Sequence, residues 1–197
     1  MPRCRLSMTR AMASLMALPP VQRLSAAIVG RHGVFDIVRH EVEGAEGPRV
    51  YITLAMLDWV SIAAVTADGR FVLVRQHRHG IGDVTLETAG GFVDEGETPQ
   101  LAARRELREE TGYSLREIQS LGSVHPNTAM QSNRCHIFLA RGVEAAGPPA
   151  PDEDEHIEPV VLDAKAVRQA LDDGIISNAL SIVTLERALA RLAIKSV

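Results

Sequence analysis

The 197-residue chain has only two cysteines, Cys4 and Cys135. Two are too few for the disulfide framework of a small secreted domain, and no C-x-x-C pair or Cys/His cluster marks a zinc site. Free thiols in a reducing, cytoplasmic setting are therefore expected. There is no excess of basic charge either. The formal net charge is -4, and without a helix-turn-helix signal the chain does not read as a nucleic-acid binder. No apolar run approaches the ~20 residues that span a bilayer, so no membrane partner is expected. No internal repeat is visible. Residues 1–35 lack acids altogether, the first being Asp36, yet carry Arg3, Arg5, Arg10, Arg23 and Arg31. Together with apolar residues 11–18 and Pro19-Pro20, this is the composition of a targeting segment. The apolar run is short and no small-x-small cleavage site follows it. Residues 1–24 therefore read as a loosely ordered extension or a short helix.

What is present from residue 25 onward is strand. Residues 26–29, 34–42, 50–57 and 60–66 are β-rich runs separated by Gly-containing turns. Asp68-Gly69 is a hairpin signal before the apolar residues 71–74. No helix is expected until Thr98. The simplest arrangement is an antiparallel N-terminal sheet that leads into a mixed sheet. Beyond residue 113, strands are expected within residues 115–124, 135–140 and 159–162. Helices are expected from Asp163 through Asp172 and over residues 177–192, the latter with an apolar face.

The chemistry concentrates in residues 91–113, GFVDEGETPQLAARRELREETGY. Thr98-Pro99 marks a helix start, because threonine caps orphan amides and proline suits the first helical position. Gly112 is a plausible stop. Glu106, Glu109 and Glu110 stand at i, i+3 and i+4 and so share one helical face. Crowded carboxylates repel one another, and a hard divalent cation would relieve that repulsion. A solvated acidic face is the ordinary alternative for such a cluster.

The whole stretch matches G-x5-E-x7-R-E-U-x-E-E-x-G-U, with U a bulky apolar residue, at every fixed position: Gly91, Glu97, Arg105, Glu106, Glu109, Glu110 and Gly112. This is the Nudix box, and the chain resembles the Nudix hydrolases. The resemblance implies an α/β fold, an α/β/α sandwich around a mixed sheet, here with an N-terminal antiparallel β extension. It implies hydrolysis, dependent on Mg2+ (Mn2+ is the other candidate), of a nucleoside diphosphate linked to another moiety. It places Gly90 through its carbonyl, with Glu106, Glu109 and Glu110, around metal. Arg105 would orient the carboxylates and Glu97 would brace the loop. Residues 58–197 would form the Nudix hydrolase domain, preceded by the extension, residues 1–24, and a β region, residues 25–57, exchanged across a homodimer.

Two flanking phrases narrow the resemblance. Arg75-Gln76-x-Arg78 ahead of Leu86-Glu87-x-Ala89-Gly90 is similar to the ADP-ribose and nucleotide-sugar pyrophosphatase branch, although Ala89 stands where that pattern puts proline. Arg78 would meet substrate phosphate, for which a guanidinium is a planar multi-donor cation; Arg75 and Glu87 are candidate substrate contacts beside it. Gly90-Gly91 would allow a tight turn before the helix. Residues 125–140, HPNTAMQSNRCHIFLA, resemble a phrase of bacterial nucleotide-sugar enzymes. There Asn127, Asn133 and His136 read equally as substrate contacts or as loop-stabilising hydrogen-bonders. Trp59 is the only tryptophan and reads either as packing or as a platform for a nucleobase. The acidic residues 152–155 precede a strand where relatives carry a catalytic glutamate. Glu153 is favoured as general base, Glu155 for positioning, and Glu109 is the next candidate. The expected products are a nucleoside monophosphate and a sugar phosphate. The alternatives are a dinucleoside polyphosphate or cofactor pyrophosphatase, and a ligand sensor that does not cleave.

Overall fold

A computed structural model of the chain describes residues 21–151 and 156–193. Residues 1–20, with Cys4 and most of the expected extension, and both Glu153 and Glu155 lie outside the described residues.

Two sheets form. The first is antiparallel and three-stranded: β1 (Arg23–His32), β2 (Phe35–Val42) and β3 (Arg49–Ala55). Gly33 makes the β1–β2 turn with φ 53°, where a side chain would be strained. The second sheet has seven strands: β4 (Trp59–Thr66), β5 (Phe71–Arg78), β6 (Asp83–Glu87), β7 (Tyr113–Ser114), β8 (Glu117–Val124), β9 (Cys135–Ala145) and β10 (Ile157–Leu162). Its order is β10-β5-β4-β9-β7, with β6 on β5 and β8 on β9. β4 and β9 run parallel, and the other pairs are antiparallel. The sheet is therefore mixed.

The apolar residues 62–65 of β4 and 71–74 of β5 are covered on both faces. On one face Val60, Ile62, Val72 and Val74 pack with Ala102, Ala103 and Leu107 of α1 (Pro99–Thr111). On the other, Ala63, Val65, Phe71 and Leu73 pack with Val167 of α2 (Ala164–Asp172) and Leu185 of α3 (Ala179–Ala193). No helix among the described residues is long and apolar enough to cross a membrane.

Most boundaries differ from the sequence expectation by a few residues, and pairing decides where they fall. β1 is longer than residues 26–29 because it pairs along β2 from Arg23 to His32. β5 continues through His77 to Arg78 because β6, for which no strand was expected, pairs with its polar end. The last helix begins at Ala179 rather than residue 177, with Asn178 accepting from the backbone N–H of Ser181 at 2.9 Å.

Candidate active site

The Oγ1 of Thr98 accepts from the N–H of Leu101 at 3.3 Å, and Pro99 occupies the first turn of α1. Gly112 ends the helix in the left-handed region at φ 73°, its N–H donating to Arg108 O at 3.0 Å. With Leu107 buried against β4, the box carboxylates turn toward the segment that precedes the helix. Arg105 sits among them. It donates to Glu97 (3.0 and 3.3 Å), Glu106 (2.8 Å), Glu109 (3.1 Å) and the carbonyl of Phe92 (2.9 Å). These bonds, led by Glu97, raise the Arg105 pKa further above its ordinary value. Conversely, the Arg105 guanidinium holds the Glu97 carboxyl below its usual range.

Residues 89–93 lie along the free side of β4. Val60 N–H donates to Gly91 O and Ile62 N–H to Ala89 O, both at 2.9 Å, and Val93 N–H donates to Asp58 O at 2.8 Å. Between them, Gly90 N–H faces Glu110 and donates to its Oε2 at 2.9 Å. Gly90 is required, though not for a tight turn as expected, since neither it nor Gly91 has a positive φ. A Cβ on Gly90 would strike the Val60 carbonyl, and one on Gly91 would lie 2.5 Å from the Glu106 carboxylate. The need at Gly90 is close approach of backbone to strand; at Gly91 the backbone lies close to a carboxylate.

Among the described residues, no three acidic, histidine or cysteine side chains converge as a ready-made metal cage. Arg105 draws Glu106 and Glu109 to itself, while Glu110, only 4% exposed, is turned to Gly90. The donor set nonetheless suits Mg2+, which commonly takes one or two carboxylates and fills its shell with water and substrate phosphate. Glu106 and Glu110 both abut the Gly90-Gly91 backbone, and both supply hard oxygen.

Beside this carboxylate group opens a cleft of about 240 Å3. Gly90 and Gly91 line it, as do Arg78 and Glu87. Arg78 grips the buried Glu87 with two bonds, of 2.9 and 2.8 Å, and Thr85 also donates to Glu87. Trp59 and Phe92 line another part, edge to face with centroids 6.1 Å apart. The remaining lining includes Ser61 and Thr88, and Asn178, Leu180 and Ser181 from the start of α3.

The structure thus brings Trp59, Arg78, Glu87 and the box together. It does not bring Arg75. Strand alternation puts Arg75 with Leu73 on the α2/α3 face and Arg78 with Val74 on the α1 face. Arg75 pairs with Glu158 of β10 beside a separate hollow. Asn133 is buried and donates to Leu57 O at 3.1 Å, and His136 contacts Asp58 at 2.8 Å. Both brace the loop ahead of β4 and neither lines the cleft. Burial opposes ionisation of Asp58, but the N–H of Arg134 and the His136 ring outweigh it and hold its pKa below the usual value. Burial pushes the Cys135 thiol up to about 12, which makes it inert as a nucleophile at neutral pH. Sequence reasoning missed Ser61, Thr88, Phe92, Asn178, Leu180 and Ser181. An asparagine just before an apolar helical run is a cap signal that could have located Asn178.

The NUDIX domain pattern matches residues 58–179. An ADP-ribose pyrophosphatase of Bacillus subtilis is 31% identical over 100 residues, 50% of this chain and 54% of its own length. An ADP-sugar pyrophosphatase of Mus musculus is 31% identical over 106 residues, 51% of this chain and 49% of its own length. The chain thus spans about half the length of these curated relatives. The crystal structure of an ADP compounds hydrolase has the same fold, with a TM-score of 0.79 at 23% identity over 91% of this chain and 97% of that one. With the box on α1 and the pattern covering more than half of its residues, the chain belongs to the NUDIX domain family.

Proposed function

We propose that the protein hydrolyses the diphosphate linkage of ADP-ribose-like or nucleotide-sugar substrates, giving a nucleoside monophosphate and a sugar phosphate. The observation that carries the reading is the gathering of Glu106 and Glu109 by Arg105, with Glu110 held by the Gly90 N–H, against the Gly90-Gly91 backbone that lines a cleft. The named activities of the relatives, ADP-ribose and ADP-sugar pyrophosphatase, support it.

Glu106 and Glu110 would hold Mg2+ or Mn2+ with the Gly90 carbonyl, and Glu109 stands next to them. Carbonyls alternate along an extended segment, so with those of Ala89 and Gly91 turned to β4, that of Gly90 turns toward α1. When bound, such a cation neutralises phosphate charge and lowers the pKa of its water. Arg105 holds the carboxylates in register before substrate arrives, and Glu97 holds Arg105. Arg78, fixed in direction by Glu87, presents its guanidinium toward phosphate at the cleft. The proton of the attacking water goes to a carboxylate of residues 152–155, with Glu153 as base and Glu155 positioning. The chain reaches that stretch beside α1, since Ala150 N–H donates to Glu109 O at 2.7 Å. The working unit is a homodimer built through β1–β3, with the N-terminal β region, residues 25–57, as the exchanged part.

Glu110→Gln keeps the side chain's shape and removes one anionic oxygen donor. Hydrolysis of ADP-ribose should fall at least ~100-fold, the size of a lost main electrostatic element. The fold should survive, because like-charge repulsion on the helix is relieved. Near-normal turnover by this variant, or by the wild type in excess chelator, would refute the metal role.

A further inference from the structure

The family match ends at residue 179, yet the cleft does not. Leu180 and Ser181 continue its wall, with Asn178 just before them. This wall is not a loose lid. Ser181 is 1% exposed, and its Oγ accepts from Thr88 N–H at 3.0 Å. Ser61 Oγ then bridges Thr88 Oγ1 at 2.8 Å and Thr184 Oγ1 at 2.7 Å. Four buried hydroxyls therefore pin the start of α3 to β4 and to the residues that lead into Gly90. A wall tied this way fixes the width of the slot.

Size decides how much substrate enters. Sites that enclose a whole drug-sized ligand run to roughly 300–1,000 Å3. At about 240 Å3 the slot holds one end of a two-ended substrate. Chemistry decides which end. Apart from the Arg78–Glu87 pair near the glycines, its larger side chains are Trp59, Phe92 and Leu180. Flat apolar surfaces suit a ring that stacks, and aromatic faces stack on any base. Asn178 spends its Oδ1 on capping Ser181 N–H, and its NH2 has no acceptor among the described residues. It is left to donate to a ring edge.

We propose that the first turn of α3 is the base-reading wall of the cleft, where Leu180 packs on the nucleobase against Trp59 and Asn178 donates to its edge. The proposal rests on the nucleoside diphosphate reading above. It makes selectivity between bases a property of Asn178 and Leu180, separate from the carboxylates that serve the reaction.

Trp59 is the sole tryptophan, so its fluorescence reports the slot without turnover. The full-length protein would be titrated with AMP, GMP, CMP and UMP, and with ribose 5-phosphate as the baseless control. Nucleotides should quench Trp59 and ribose 5-phosphate should not. Leu180→Ala should change the affinity ratio between the best and the worst base by about tenfold or more, the range set by small apolar groups in a pocket. Asn178→Asp keeps the helix-capping oxygen and replaces only the NH2, so it tests edge recognition in a chain that still folds. Equal quenching by ribose 5-phosphate, or variants that weaken every nucleotide alike, would overturn the proposal. Hydrolysis is followed in parallel with ADP-, GDP-, CDP- and UDP-glucose. Turnover without base-dependent quenching sinks the base-reading wall and leaves the hydrolase intact. Base-selective quenching without turnover does the reverse.

Discussion

Arg105 shows how one side chain can organise a site built from repelling ones. Glu97, Glu106 and Glu109 would separate if left alone, and the planar guanidinium holds all three within 3.3 Å. Glu97 is the anchor, and its carboxyl pKa is depressed by Arg105. A depressed carboxyl contributes stability that is fully present above its unfolded value and lost as pH falls through the folded one. The bond should therefore act undiminished at neutral pH and fade below the ordinary value of 4.5. Glu97→Gln should cost roughly 1–3 kcal/mol at pH 7, as for a hydrogen bond to a charged partner. The gap between wild type and variant should narrow as pH falls below 4.5 and close once the folded carboxyl is protonated, read by urea denaturation across the acid range. A gap that persists there would mean that Glu97 acts by packing. The box residues were legible because their spacing is fixed within one helix and its approach. The hydroxyl cluster was not, because Ser61 and Thr184 lie 123 positions apart and only the fold joins them. Arg75 stands away from the cleft because positions three apart on a strand face opposite ways, which a motif read along the chain does not register.

At the scale of elements, existence was easier to read than extent. The two-sided burial of β5 was written in its unbroken apolar residues 71–74, and the caps of α1 and α2 in Thr98 and Asp163. β6 was hidden because its partner, the polar end of β5, gives no apolar signal of its own. The connection from β9 to β10 matters most for the reaction. Residues 146–150 cross the end of α1, where Arg108 donates to Ala146 O at 3.1 Å and Ala150 N–H to Glu109 O. Ala150, two residues ahead of the acidic stretch, thus lies beside a box glutamate. Glu153→Gln should lower kcat by ~10²–10⁴ while KM and metal affinity change little, as for a lost general base. The same pattern in Glu155→Gln would move the role by two residues. If neither variant slows turnover tenfold, the base belongs to the box, with Glu109 next in line.

For the whole molecule, the anomaly is the three-stranded sheet. Side chains alternate between the two faces of a strand, yet the consecutive Val50, Tyr51 and Ile52 of β3 are 50%, 54% and 49% exposed. Leu24, Ile28 and Val29 on β1 are similarly open. Among the described residues, neither face of this sheet is packed against the protein's core, and no strand pairs with the outer edge of β1. Its ties to the body include Leu54 N–H to Met130 O at 2.7 Å and Ser132 N–H to Leu54 O at 3.1 Å. Apolar surface of this kind, beside an unpaired strand edge, marks an interaction surface or an aggregation hazard. A second copy removes both, and closed two-fold dimers are the commonest way proteins do so. Light scattering at micromolar concentration should therefore give twice the 21.4 kDa chain mass. Ile52→Lys places a charge in that interface and should shift the equilibrium to monomer, with activity lost in proportion to the dimer. Adding protein until dimer re-forms should restore it by mass action. A wild-type monomer of full activity under these conditions would leave the sheet's apolar faces to some other partner and end the dimer reading.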